Sequence, residues 1–173
     1  MRLSYPIASF IFLFIGGQIL AQSNEECIQN LSIFAEFAKV KNYDSAYEPW
    51  EKVRVECPKL NVAIYSYGEK ILQNKIKNSS GAEQEAFKNT LIELYQAWGD
   101  NFPTRKGKNR IGSILSSKAQ SLLDFKIGSK MEAYQTFDKA FIEDPNSFTN
   151  PKRLYNYFKT LFDLYKAGDQ GVT

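Results

Sequence analysis

The chain has 173 residues, of which 43% are hydrophobic, so one domain with a substantial core is expected. Its net charge of +3, made of 22 basic and 19 acidic residues, is too small and too mixed to point to nucleic acid. The absence of histidine excludes histidine triads, histidine-ligated metals and histidine pH switches, and two cysteines are too few for a four-cysteine metal site, so no cofactor is expected.

Residues 1–21 read as an export signal. Arg2 supplies the positive start, Ile7 to Ile15 form an apolar run, and Gly16-Gly17 interrupt it. Ile19-Leu20-Ala21 then ends on a small residue suited to cleavage before Gln22. The apolar run is shorter than the roughly 20 residues a membrane span needs. Loss of Arg2 would lower the charge from +3 to +2. No later segment can span a bilayer. The expected location is the periplasm or cell envelope of a Gram-negative bacterium, or the medium outside it.

Beyond the leader, apolar periodicity predicts helices over 24–41, 44–57, 61–77, 82–100, 108–126, 130–144 and 150–167. The breaks fall at Lys41-Asn42, Pro58, the Asn78–Gly81 stretch, Pro103 with Gly107, Gly128 and Pro145. No segment alternates as a strand would. The chain is expected to be all-α, with about seven helices in antiparallel pairs. Pro49 falls inside the second helix and should kink it or displace its start.

One spacing recurs three times: Ala46/Trp50/Val53/Pro58, Leu91/Tyr95/Trp98/Pro103 and Ala133/Phe137/Ala140/Pro145. Steps of four and then three keep three side chains on one helical face, and the proline ends the helix. A recurring unit of this kind is how helical repeat arrays are written. The segment Lys41-Asn42-Tyr43-Asp44-Ser45-Ala46 with Trp50, Val53 and Pro58 resembles the second helix of a tetratricopeptide repeat. Ile64, Tyr67, Gly68 and Ile71 then stand where the next unit's first helix carries apolar, apolar, glycine and apolar residues.

The resemblance implies an α-solenoid over 22–173. Its units would span roughly 24–58, 61–103 and 107–145, followed by an unpaired helix at 148–168. The terminating prolines lie 45 and 42 residues apart, against a repeat of about 34, so longer helices or an inserted turn are needed. Phe34 and Leu91 stand where small residues are usual. Gln120, Ser121 and Asp124 miss the apolar positions of the third unit, as a slipped register would produce.

In such a hairpin the start of the first helix lies beside the end of the second. Cys27 and Cys57 fall at those two ends of one unit. In an oxidising compartment the resemblance therefore implies a Cys27–Cys57 disulfide. A redox pair and two reduced cysteines remain the alternatives. The former lacks a Cys-x-x-Cys spacing and an activating histidine.

Arg105, Lys106, Lys108 and Arg110 gather four cations into six residues between two helices. They form either a solvated linker or an anion-docking spot for a lipid headgroup, a glycan or an acidic partner. No phosphate-loop order is present. Glu25-Glu26 and Glu143-Asp144 are neighbours in sequence, point in different directions and do not make a general acid/base pair.

The last helix carries Leu154, Tyr155, Tyr157, Phe158, Leu161, Phe162, Leu164 and Tyr165. Thr149 or Asn150 can cap it, and Pro151 suits its first turn. One apolar face packs on the preceding helix, and the other needs a further partner. A continuation of the chain, a partner or second copy at 148–168, or an imperfect cap would each answer that need.

The function expected from this reading is an exported, non-catalytic scaffold that binds a protein or peptide. First helices of successive units would line a groove, with Tyr65, Glu69 and Gln73 as candidate contacts. The alternative is a helical binding module for a glycan or lipid, using the aromatics and the 105–110 cations.

Overall fold

The computed structural model describes residues 16–169, with side chains from residue 24 onward. Its helices are α1 (Gly16–Lys39), α2 (Tyr43–Glu56), α3 (Ala63–Asn78), α4 (Gly81–Asn101), α5 (Ile111–Asp124), α6 (Lys130–Glu143) and α7 (Pro151–Lys166). The expected leader lies outside the described residues up to position 15, and Gly16 to Ala21 belong to α1. Adjacent helices form antiparallel pairs: α1 with α2, α3 with α4 and α5 with α6, while α7 lies on α6 and also touches α5.

Local chemistry sets the boundaries. Asn42, Ser129 and Asn150 each accept a hydrogen bond from a first-turn amide of α2, α6 and α7, which satisfies a donor the helix cannot use. Pro151 opens α7, where its missing N–H costs nothing. The start of α2 is not displaced by Pro49, because the helix begins upstream at Tyr43 and runs through it.

The core is built from the recurring faces. Ala46, Trp50, Val53, Leu91, Tyr95, Ala133, Phe137 and Ala140 are buried, and Trp98 is half-buried. The main apolar cluster joins α1 through α4 and takes in Ile114 of α5. A second cluster, Ala119, Phe137, Ala140 and Phe148, holds α5, α6 and the turn before α7. Rings stack in both, with Tyr65 over Trp98 at 6.0 Å and Phe137 over Phe148 at 5.9 Å.

Two glycines mark close approaches. A Cβ on Gly68 would lie 2.5 Å from Trp50 Nε1, so only glycine lets α3 lie across the indole. The Trp50 Nε1–H donates to the Ile64 carbonyl at 2.7 Å and fixes the ring there. A Cβ on Gly112 would lie 2.0 Å from the Asp144 carbonyl oxygen, which brings α5 against the end of α6. Buried Asp144 accepts from the Gly112 amide at 3.2 Å and from the Ser147 hydroxyl, and Ser147 accepts from the Ser113 amide at 2.9 Å. The turn after α6 thus caps α5, whose own preceding residue supplies no side-chain cap.

Cys27 and Cys57 form a disulfide, with Cα atoms 6.3 Å apart. It joins α1 to the residue that ends α2.

The expected helix over 108–126 starts later, at Ile111. The residues before it are a two-stranded antiparallel hairpin, β1 (Thr104–Arg105) with β2 (Lys108–Asn109), which the absence of alternation did not foretell. Its turn residues Lys106 and Gly107 both have positive φ, 51° and 73°. That pair is what a tight hairpin whose twist matches its strands requires.

α5 buries Ser116, Ser117, Gln120 and Ser121, so the apparent break in register is a polar packing face. Tyr95 from α4 meets Ser121 at 2.8 Å and donates to Glu69 of α3 at 2.8 Å. From α7, Asn156 donates to Gln120 at 2.7 Å, and Arg153 donates to the Ser113 carbonyl at 3.3 Å.

Candidate functional site

Among the groove residues expected from the sequence, Tyr65 is fully buried. Its hydroxyl donates to the Pro58 carbonyl and accepts from Asn101, so it serves the core and is unavailable to a partner. Glu69 is half-buried and bound to Tyr95, and Gln73 is half-buried on α3. The three do not share one open surface.

An open apolar surface lies on α7. Tyr155, Phe158, Phe162 and Tyr165 are 63%, 65%, 50% and 72% exposed. Their spacing of three, four and three residues is the seam of a helix that packs lengthwise on another helix. The opposite face, with Tyr157, Thr160 and Leu164, packs inward. Tyr157 contacts the rings of Tyr134, Phe137 and Phe141 on α6 and donates to Asp138 at 2.5 Å. Desolvation, and then Asp138, raise the Tyr157 pKa.

Along one edge of the seam stand Lys152, Lys159 and Lys166, seven residues apart and therefore in one row. Lys159 pairs with Asp163 at 2.8 Å and Lys152 reaches Asp124 at 3.7 Å, both with exposed ammonium groups. Asp163, held below the usual carboxylate range first by Lys159 and then by Lys130, is the sole acid of α7 against Lys152, Arg153, Lys159 and Lys166.

Arg105, Lys106 and Lys108 are exposed on the hairpin and Arg110 is half-buried at its base. None of the four has a carboxylate of the described residues within ion-pair distance. Arg110 donates to the Ser113 hydroxyl at 3.4 Å. Beside the hairpin a cavity of about 340 Å³ opens between the start of α3, the end of α4 and α5.

No group of three or more cysteine, aspartate and glutamate side chains among the described residues could hold a metal ion. No described helix is long and apolar enough to cross a membrane. No protein-family model matches the chain, and no curated protein or solved structure matches it.

The α7 seam was half visible in the sequence. The aromatic density and the need for a partner could be read there. Which residues face outward could not, because that depends on how α7 rests on α5 and α6.

Proposed function

We propose that the protein is an exported, non-catalytic scaffold of the tetratricopeptide-like kind, and that it binds an acidic amphipathic helix of a partner protein along α7. The observation that carries this reading is the exposed Tyr155/Phe158/Phe162/Tyr165 seam with its lysine row. An uncovered aromatic stripe of this regularity favours a helix over a flat surface. Its charge selects against a second copy. Two α7 helices packed antiparallel would set lysine rows against each other, and packed parallel would set lysines against Leu154 and Leu161. A partner with acidic residues flanking its apolar seam satisfies both terms. The Cys27–Cys57 disulfide supports export to an oxidising compartment such as the periplasm.

The test is fluorescence anisotropy with a designed helix carrying leucine at the seam and glutamate at the flanks. Binding should weaken in the Phe158→Ser, Phe162→Ser double variant. It should also weaken for Lys152→Glu with Lys159→Glu, and with a lysine-flanked version of the peptide. Indifference to both charge reversals would overturn the reading, as would dimerisation through α7 in sedimentation. Attachment of α7 to anionic vesicles with no affinity for the helix would overturn it in favour of a lipid surface.

A further inference from the structure

We infer that the cavity beside the hairpin is a binding site for an acidic sugar, a small polyol ring bearing a carboxylate or phosphate. The inference is independent of the α7 reading, since it uses other elements and other chemistry.

Three features of the cavity walls point the same way. The charge is of one sign: Arg105 and Arg110 line the cavity and no aspartate or glutamate does. Guanidinium groups suit carboxylate and phosphate oxygens because their forked donors meet two oxygens at once. These two have no ion-pair partner among the described residues, so a ligand anion would not have to displace one.

The walls also carry hydroxyls held in reserve. Ser66 and Tyr67 of α3 and Ser117 of α5 line the cavity, and their hydroxyls make no hydrogen bond among the described residues. A purely apolar acid would leave them facing a group that cannot answer them. A sugar ring presents several hydroxyls that can.

The third feature is an aromatic wall. Trp98 and Phe102 reach the cavity, and Tyr65 holds both from behind, stacked on Trp98 at 6.0 Å and tilted against Phe102 at 5.6 Å. A backed aromatic face offers apolar contact to the C–H side of a sugar ring. The volume of about 340 Å³ lies at the small end of ligand pockets, which limits the occupant to a short saccharide.

The fold explains why such a space exists here. The hairpin is inserted between the second and third helix pairs. It carries Arg105, with Arg110 at its base, to the gap between α3 and α5, which are not among the closely packed helix pairs.

Isothermal titration calorimetry of the disulfide-intact protein tests this with glucuronate, glucose 6-phosphate, glucose and inorganic phosphate. Fluorescence of half-buried Trp98 gives a second readout, since Trp50 is enclosed. Glucuronate or glucose 6-phosphate should bind, and the tighter of the two identifies the anion. Arg105→Gln with Arg110→Gln should weaken that binding roughly tenfold to a hundredfold. Circular dichroism should show the variant folded, because neither arginine belongs to the core. Inorganic phosphate binding as tightly as the sugar phosphate would overturn the sugar part of the inference. Glucose binding as tightly as glucuronate would overturn the anionic part. Absence of binding at millimolar concentration, or binding that survives loss of both arginines, would overturn the site itself.

Discussion

Gly68→Ala probes the close approach of α3 to the Trp50 indole in the core. The new Cβ would meet Trp50 at 2.5, 2.7 and 2.7 Å from Nε1, Cε2 and Cζ2. These atoms belong to a rigid ring with no exposure, so neither a rotamer change nor a flexible end can give way. Separation of α3 from α2, or rotation of the indole, would strain or break the 2.7 Å bond to the Ile64 carbonyl. Overpacking of a filled core costs about 1–3 kcal/mol. The compromised buried hydrogen bond adds about 1–2 kcal/mol. The better helix propensity of alanine returns about 1 kcal/mol. The net expectation is a loss of about 1–4 kcal/mol, or a melting temperature lower by roughly 2–16 °C for a domain of this size. Urea and thermal unfolding followed by circular dichroism would measure it. Gly99→Ala is the control: its Cβ would meet only Ile111 Cδ1 at 3.7 Å, so it should be neutral or slightly stabilising. A Gly68→Ala protein as stable as the parent, with Gly99→Ala behaving alike, would refute the close-approach argument.

Reduction of Cys27–Cys57 opens a loop with a separation of 30 residues and should remove about 3–4 kcal/mol, seen as a lower melting temperature in reductant; an unchanged melt would show that α1 is held without it. Tyr95→Phe removes the hydroxyl shared by Glu69 and Ser121, and urea titration should show a loss of about 1–3 kcal/mol. Burial, and then Glu69, hold the Tyr95 pKa well above its ordinary value, while desolvation also raises those of Tyr47, Tyr65 and Tyr157. A raised folded pKa gives stability that is full below the unfolded value of about 10 and is lost as pH rises through the folded value. Stability measured from pH 8 upward should therefore be flat and then fall above about pH 10, and fall less in Tyr95→Phe.

The all-α class and the helix pairs were legible because they rest on periodicity and breakers. The tetratricopeptide resemblance set Gly68 where a partner helix comes close, and the fold supplied Trp50 as what fills that place. The disulfide followed from placing Cys27 and Cys57 at the two ends of one helix pair. The hairpin was hidden because two-residue strands leave no alternation to detect. Its signal, a lysine and a glycine both at positive φ, exists in the backbone and not in the residue pattern. Tyr65 misled because its position on α3 suggested a groove, whereas Trp98 and Phe102 enclose it from the side. The polar stretch of α5 looked like a failed apolar face. Its partners Tyr95, Arg153 and Asn156 lie on other helices, far away in sequence.

That polar stretch gives the protein a joint. Along it α5 meets its neighbours through directional bonds beside the apolar contact of Ile114, and such bonds hold an angle but yield to water once one is broken. The front of the molecule is also pinned covalently, and the rear is not. Opening should therefore begin behind the joint, with α5 to α7 exchanging their amides sooner than α2 and α3. On that expectation the rear helices would open first while the disulfide-pinned front stays folded and able to receive them again.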